Sequence, residues 1–242
     1  QKDVKHGALD WTNAALYMGM LDWAELAETE MGDASYYDWL VKLGRRYGWQ
    51  PDKRMYHDDD IAVGQVFIDL YNKYKDKNML YPTQARAEWV VNHPSDGPMD
   101  LDYKKRETLE RWTWCDALYM APPVYVKLYM LTGDKRFIKF MNKEYKATYD
   151  LLFDKDERLF YRDSRYLTQK DANGAKVFWG RGNGWVLGGL AEMLQDFPKN
   201  DKNRKFYEEL FVTLSARVAE LQSADGFWHA SMLDPASYPS PE

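Results

Sequence analysis

The short segment Met31-Gly32-Asp33 separates two stretches in which apolar residues recur at helical spacing. Glycine commonly follows the last turn of a helix, and aspartate commonly caps the first turn of the next one. The segment Thr132-Gly133-Asp134 repeats the arrangement later in the chain. The sequence is therefore predicted to consist of helical hairpins joined by tight turns.

The same periodicity continues through most of the chain. Apolar residues recur at intervals of three and four over 8–30, 34–48, 58–75, 82–94, 113–131, 134–152, 183–196 and 202–222. Pro122-Pro123 lies within the fifth stretch, and because proline lacks an amide hydrogen we expect a kink or a new helix start there. The segments 156–161 and 225–228 each predict a turn with a short strand.

Helical hairpins of about 40–50 residues predict stacked helix pairs, in an open solenoid or a closed toroid. We favour a single all-α domain over residues 1–242, folded as an α/α toroid. In a toroid the inner helices run the same way, so their N-terminal ends meet at one rim. That rim is expected to hold Trp11 and Asn13, the acidic run 58–60, Trp114 and Asp116, and the loop 179–185.

The composition restricts the classes of partner. The net charge is -5, and the basic face typical of nucleic-acid binding is not expected. Aromatic residues make up 16% of the chain, which fits either core packing or stacking on sugar rings. No apolar run is long enough to predict a membrane span, and the single cysteine excludes an intrachain disulfide. The chain begins at Gln1 close to a helix, so we expect a removed leader and a periplasmic or secreted protein, with the cytoplasm as the alternative.

The stretch 114–120, Trp-Cys-Asp-Ala-Leu-Tyr-Met, places Asp116 among bulky apolar residues at a helix start. An aspartate in this position can be an ordinary N-cap. The helix dipole favours its anion by about 0.3–1 kcal/mol at an exposed site, whereas burial can raise the pKa of a carboxyl by several units. We therefore expect the pKa of Asp116 to be raised.

The stretch 178–185, Phe-Trp-Gly-Arg-Gly-Asn-Gly-Trp, flanks Arg181 with Trp179 and Trp185. A guanidinium between aromatic rings is suited to bind a carboxylate in two-pronged fashion. The alternating glycines do not match a dinucleotide-binding fingerprint, because no strand precedes them. They predict either a close backbone approach to a ligand or a flexible loop. An acid and an arginine in an aromatic cleft together suggest an enzyme acting on an acidic sugar.

The run His57-Asp58-Asp59-Asp60 has several interpretations: a helix cap, a solvated acidic turn or a metal motif. Ala62 occupies a position where an aspartate-rich metal motif needs an acid, and the histidines lack metal-ligand spacing, so no metal is expected. Helical phase places Asp60 on the same face as Gly64 and Phe67, which makes Asp60 the expected inward acid. Cys115 has no histidine nearby in sequence to serve as its base and is expected to be a small buried residue.

Three segments, 59–65, 114–123 and 178–185, resemble the unsaturated glycuronyl hydrolases of glycoside hydrolase families 88 and 105, family 105 most closely. The resemblance extends over essentially the whole chain. It implies an (α/α)6 barrel of six helix pairs, with further helices expected before Gln1 and beyond Glu242.

The resemblance also assigns roles to individual residues. It makes Asp116 the general acid/base and Asp60 the second catalytic acid. The substrate-binding set that it implies, together with rim neighbours, is Trp114, Met120, Trp179, Arg181, Asn183, Trp185, Arg162, Asn13 and His57. Two positions depart from the family pattern, since many members carry histidine where this chain has Arg162 and tyrosine near Asn13.

The implied reaction removes a 4,5-unsaturated uronic acid from the non-reducing end of oligosaccharides made by polysaccharide lyases. Asp116 would protonate C4, water would add at C5, and the hemiketal would open, without metal or cofactor. The expected partner is an unsaturated oligosaccharide from pectin, ulvan or a glycosaminoglycan, not a nucleic acid or a membrane. A conventional glycosidase or a sugar epimerase on the same barrel, or a glycan-binding toroid without activity, are the alternatives.

Overall fold

The computed structural model describes residues 5–237, so the expectations that concern Gln1 and Glu242 lie outside the described residues. The α-helices are α1 (Trp11–Met31), α2 (Ser35–Arg46), α3 (Asp58–Ile61), α4 (Gly64–Tyr74), α5 (Lys77–Asn92), α6 (Ala117–Met120), α7 (Pro122–Thr132), α8 (Lys135–Leu152), α9 (Gly180–Asp196) and α10 (Arg204–Glu220). A two-residue strand β1 (Phe153–Asp154) pairs antiparallel with β2 (Leu159–Phe160). Single 3₁₀ turns occupy Arg106–Leu109 and Ser164–Tyr166.

The turns that define the hairpins have the predicted chemistry. Gly32 and Gly133 end their helices in the left-handed conformation, with φ of 67° and 71°. An oxygen of Asp33 accepts a hydrogen bond from the Ser35 amide at 2.9 Å, and Asp134 caps α8 at the same distance from the Arg136 amide. Local sequence is enough to form these turns, because all of these hydrogen bonds join residues two to six apart in the chain.

Prolines have different effects at two positions. The helix break expected at Pro122-Pro123 is present, because α6 ends at Met120 and α7 starts on the two prolines, where amide hydrogens are not needed. The helix expected to begin at residue 82 instead begins at Lys77 and contains Pro82. Asp76 caps that helix by accepting a hydrogen bond from the Asn78 amide. The helix continues through Pro82 with the loss of one backbone hydrogen bond, because proline has no amide hydrogen.

The segment 156–161 contributes the turn and β2, as expected. The segment 225–228 was expected to contain a short strand and instead forms a hydrogen-bonded turn, in which the Gly226 amide donates to the Ser223 carbonyl at 2.9 Å.

The helices pack in two layers. Hairpin partners contact each other in the pairs α1/α2, α4/α5, α7/α8 and α9/α10. The first helices of the pairs also pack side by side in chain order, α1 on α4, α4 on α7 and α7 on α9, while α5 contacts α8 in the second layer. This is the arrangement of an α/α barrel, and the predicted all-α fold is confirmed.

A close helix contact fixes one side of the rim. Gly189 of α9 lies against the backbone of Leu118, and a Cβ added there would be 2.2 Å from the Leu118 carbonyl oxygen. Only glycine permits α6 and α9 to approach this closely. Within the described range, no helix combines the length and the apolar character that crossing a bilayer requires.

Candidate active site

The N-terminal ends of the inner helices border a cavity of about 760 Å³. Six of the predicted site residues line it: His57, Trp114, Asp116, Arg162, Trp179 and Arg181. Trp11 lies in the same wall. The rim expected from the toroid is therefore present, because helices that run in the same direction bring residues from distant parts of the sequence to one end.

Asp116 lies immediately before α6, but its side chain makes no capping hydrogen bond. Burial raises its pKa to about 6, while a backbone hydrogen bond and then the positive charge of Arg162 oppose that rise. The N-cap interpretation does not apply. The geometry leaves the Asp116 carboxyl facing the cavity, where it can give up or take a proton near neutral pH.

The expectation for Asp60 was wrong in its geometry. Asp60 is 3% exposed and is not part of the cavity wall. Its carboxylate accepts hydrogen bonds from the amide of Arg54 at 2.6 Å and from Nε of the same residue at 2.9 Å. Asp59 lines the cavity instead. The phase argument assumed one continuous helix over 58–75, whereas α3 ends at Ile61 and α4 begins at Gly64.

The acids of α3 differ in charge from exposed aspartates. Burial, and next the nearby Asp116, raise the pKa of Asp59 to about 8. Burial also raises the pKa of Asp58 well above its usual range, and neither of its oxygens has a hydrogen-bond partner among the described residues. Both acids are therefore expected to be largely protonated at neutral pH, which limits the negative charge beside Asp116.

His57 is buried and lies against the indole of Trp114, with ring centroids 4.9 Å apart. Burial and then Arg54 lower its pKa to about 4, so its imidazole is neutral at physiological pH. The ligand atoms of His57, Asp58 and Asp59 lie within 4.8 Å of one another, and in the part of the chain that the structure describes this is the one group with the composition and spacing to hold a metal ion.

The guanidinium groups of two arginines lie against the ring of Trp179. The Cζ atom of Arg181 lies 4.6 Å from the Trp179 ring centroid, and that of Arg162 lies 5.4 Å from it. Trp185 does not form the second side of the expected sandwich, since it is absent from the cavity wall and packs on Tyr119 at 4.8 Å. Arg181 therefore lies against the ring of Trp179 and lines the cavity.

Three further predicted residues have structural contacts instead of lining the cavity. Asn183 is fully buried, accepts from the Phe160 amide at 2.8 Å and donates to its carbonyl at 3.1 Å, which joins α9 to β2. The Asn13 amide donates to the Gly7 carbonyl at 2.8 Å. Met120 is fully buried in the core beneath α1 and α4. Their proximity to the motifs was predictable, but the direction of each side chain was not.

Gly182 is one of the glycines predicted to allow a ligand close to the backbone, but side chains of the protein lie there instead. A Cβ on Gly182 would lie 2.5 Å from the Trp179 ring and 2.9 Å from Sγ of Cys115. Gly184 has open space at the corresponding point. Cys115 is buried as expected, and burial raises the pKa of its thiol well above the ordinary value.

Sequence reasoning missed part of the wall. Arg54, Asp59, Tyr103, Tyr166, Asp171 and Ser231 line the cavity. The Asp171 carboxylate accepts hydrogen bonds from the hydroxyls of Ser231 and Ser237. Asp59 lies in a motif segment whose acidic run was expected at the rim, whereas Tyr103, Tyr166, Asp171 and Ser231 come from segments outside the motifs, and the sequence contains no signal that would place those four together.

The comparison with known families is consistent with this geometry. The family model described as Glycosyl Hydrolase Family 88 matches residues 2–242. The chain belongs to glycosyl hydrolase family 88.

Individual relatives are similar over most of this chain. The unsaturated 3S-rhamnoglycuronyl hydrolase of Formosa agariphila is 38% identical over 237 residues, which are 95% of this chain and 62% of that protein. A family 88 glycosyl hydrolase from Bacteroides vulgatus superposes with a TM-score of 0.84 at 27% identity, over 96% of this chain and 67% of that one. A structure described as a polysaccharide lyase superposes with a TM-score of 0.85 at 29% identity, over 98% and 68% of the two chains. The chain thus spans about three fifths of the length of the curated relative.

Proposed function

We propose that this protein is a glycoside hydrolase that removes a 4,5-unsaturated uronic acid from the non-reducing end of lyase-generated oligosaccharides. The observation that carries the proposal is Asp116, an acid with a pKa of about 6 that shares a cavity with Arg181. Membership of family 88 and the name of the Formosa relative support it. That name also favours a substrate in which the uronic acid is linked to rhamnose, over the pectin and glycosaminoglycan alternatives.

Substrate orientation follows from the cavity wall. The guanidinium of Arg181 can bind the uronate carboxylate with two parallel hydrogen bonds, while its flat face rests on Trp179. Trp11 and Trp114 supply further aromatic surface against which a sugar ring can stack. In this orientation the double bond of the sugar would face Asp116, which lines the same cavity.

The chemistry uses the vinyl ether that the lyase leaves behind. The Asp116 carboxyl donates its proton to C4, and positive charge develops over C5 and the ring oxygen. Water adds at C5 as the Asp116 carboxylate takes up one of its protons. The resulting hemiketal opens and releases the neighbouring sugar. One carboxyl can serve both proton transfers, so the reaction needs no metal or cofactor.

Asp59 fits a supporting role in this scheme. With a pKa of about 8 it is protonated at neutral pH and can donate a hydrogen bond to the substrate. A second ionised carboxylate there would repel the substrate carboxylate.

An isotope experiment tests the proposal. An unsaturated disaccharide is incubated with the protein in heavy-oxygen water and in deuterium oxide, while the vinyl-ether absorbance is followed. We expect the absorbance to fall, the oxygen label to appear at C5 and deuterium to appear at C4. Saturated disaccharides of the same linkage should bind without cleavage, because their C4 has no π electrons to protonate.

The rival activities give different results in the same assay. A conventional glycosidase would place the oxygen label at C1 and cleave the saturated substrate. A lyase would generate absorbance from an uncleaved uronic-acid polymer instead of removing it. An epimerase would invert a carbon without cleavage, and a protein that only binds glycans would show affinity without turnover. Any of these outcomes would overturn the hydration mechanism.

A further inference from the structure

The side chains of His57, Asp58 and Asp59 lie close together at the start of α3. An oxygen of Asp58 lies 3.6 Å from Nδ1 of His57, and an oxygen of Asp59 lies 3.7 Å from the same nitrogen. A tetrahedral Zn²⁺ ion with bonds of about 2.0–2.2 Å holds its ligand atoms about 3.3–3.6 Å apart. The two distances are close to that spacing, so small movements of the side chains would complete a metal site.

The Asp58 side chain gives an independent reason to expect a ligand here. It is 1% exposed, and neither of its carboxyl oxygens has a hydrogen-bond partner among the described residues. One oxygen of Asp59 is also buried without a partner. A buried acceptor without a partner is unfavourable, and a bound ion is one way in which native proteins satisfy it. The unpaired oxygen of Asp58 that lies near His57 is directed into the group.

The imidazole of His57 presents an acceptor to the same point. Its Nδ1 accepts a hydrogen bond from the Asp59 amide at 3.3 Å, so this nitrogen carries no hydrogen. Metal ions bind the unprotonated nitrogen of histidine. The hydrogen bond is a long one, and a metal ion bound to this nitrogen would replace it.

The charges of the group suit a divalent cation. Two carboxylates neutralise its two positive charges. Arg54 lies beside them, with Nη2 3.7 Å from an Asp59 oxygen, but its guanidinium is bound by Asp60 through Nε at 2.9 Å. His57 and Asp59 line the cavity, so an ion can reach the group from there and keep one coordination position open to the cavity.

We propose that His57, Asp58 and Asp59 bind a divalent transition-metal ion, with Zn²⁺ as the best match, and that this ion inhibits turnover. Imidazole nitrogen suits zinc and related ions, whereas Mg²⁺ and Ca²⁺ prefer oxygen ligands. On binding, the two carboxyls release their protons to solvent and coordinate as carboxylates. Asp59 then has no proton to donate to the substrate. Binding of the ion is independent of the proposed function, whereas the inhibition rests on it.

The binding test uses the whole chain after treatment with a chelator. The protein is titrated calorimetrically with Zn²⁺ and with Mg²⁺, and its visible absorption is followed as Co²⁺ is added. We expect one Zn²⁺ per chain, no binding of Mg²⁺ at the same concentrations, and the cobalt bands of a four-coordinate ion. Zn²⁺ should also raise the melting temperature, because an ion that binds the folded state stabilises it.

Two variants assign the ion to this group. Asp58→Asn and His57→Gln each remove one ligand and should weaken Zn²⁺ binding about tenfold or more, since even residues that only orient metal ligands contribute about 10–100-fold. Each should also lose the rise in melting temperature, measured against its own metal-free form, which separates lost binding from a general loss of stability. His93→Gln and Asp156→Asn are the matched controls, because both residues are exposed and lie outside the group. They should bind Zn²⁺ as the parent protein does.

Turnover of an unsaturated disaccharide tests the inhibition. Zn²⁺ should lower kcat of the parent protein at concentrations that fill the site, and a chelator should restore it. Asp58→Asn, measured against its own metal-free rate, should need about tenfold more Zn²⁺ for the same fractional loss.

The outcomes separate the metal site from the proposed function. If Zn²⁺ binds through His57 and Asp58 but the metal-free protein does not turn over the disaccharide, the proposed function is wrong and the metal site stands. Zn²⁺ binding that does not saturate, or that is equal in the parent protein and both ligand variants, would overturn the metal site. Bound Zn²⁺ that leaves kcat unchanged or raises it would overturn the inhibition.

Discussion

Arg54 binds Asp60 from two sides, through its backbone amide at 2.6 Å and through Nε at 2.9 Å. These two hydrogen bonds occupy both oxygens of the Asp60 carboxylate, which does not line the cavity. The preceding residue, Asp59, does line the cavity. The two neighbouring acids therefore have separable roles, and single substitutions can distinguish them.

We expect Asp60→Asn to lower the free energy of unfolding by about 1–3 kcal/mol, because it weakens charge-assisted hydrogen bonds to a buried oxygen pair. Asp59→Asn should reduce turnover without comparable loss of stability, since the amide keeps the shape of a neutral acid. Urea unfolding and kcat measured on the same preparations check both statements. If Asp60→Asn stays fully stable and Asp59→Asn unfolds readily, the assignment of the two acids is reversed.

Asp116→Asn should abolish nearly all turnover while the circular dichroism spectrum stays unchanged. General acid–base groups contribute roughly 10²–10⁴-fold to a rate, and here one carboxyl serves both proton transfers. A folded Asn variant that keeps more than about a tenth of the parent rate would exclude Asp116 as the proton donor.

The pH dependence follows from the raised pKa values. Asp116 donates a proton, so kcat/KM should fall as pH rises through about 6, the pKa of that carboxyl in the free protein. The free energy of unfolding should also fall as pH rises. A carboxyl whose pKa is higher in the folded state stabilises the fold at low pH, and that contribution is lost as pH rises through the folded value, about 8 for Asp59.

The stability effect has a simple control. Asp59→Asn should raise the melting temperature more at pH 8 than at pH 5, because the amide cannot ionise. An equal shift at both pH values would mean that Asp59 has an ordinary pKa in the folded protein.

Arg181→Lys should weaken binding of an unsaturated disaccharide although the positive charge remains. An ammonium cannot form two parallel hydrogen bonds to a carboxylate or lie flat on Trp179. A sugar analogue without the carboxylate should bind nearly equally to both forms of the protein. If titration calorimetry shows equal losses for both ligands, Arg181 shapes the cavity and does not bind the carboxylate.

Gly182→Ala and Gly184→Ala form a matched pair in α9. The first places a methyl group 2.5 Å from the Trp179 ring and should displace the ring, lowering activity and stability together. The second meets nothing within 4 Å and should stabilise the helix by about 0.5–1 kcal/mol. Thermal unfolding and kcat/KM of both variants check this contrast, and a tolerated Gly182→Ala would show that Trp179 can move without consequence.

Sequence alone determined the features that depend on near neighbours. The Gly133 turn, the Asp134 cap and the helix start at Pro122 involve contacts within a few residues, so local propensity was enough to predict them. Repetition of such hairpins defined the barrel topology. The topology in turn brought Asp116 and Arg181 to one rim, because helices that run in the same direction share an end.

Only the tertiary structure decided which side chains face the cavity. Asp60 was expected to face inward, but Asp59 lines the cavity, and the sequence does not show that the helix is interrupted for two residues between α3 and α4. Asn183 and Trp185 lie in the predicted motif but point toward β2 and Tyr119. The raised pKa of Asp59 depends on burial and on a charge that folding brings near. The direction and burial of each side chain depend on packing between segments that are distant in the sequence. Local sequence patterns contain no information about those contacts.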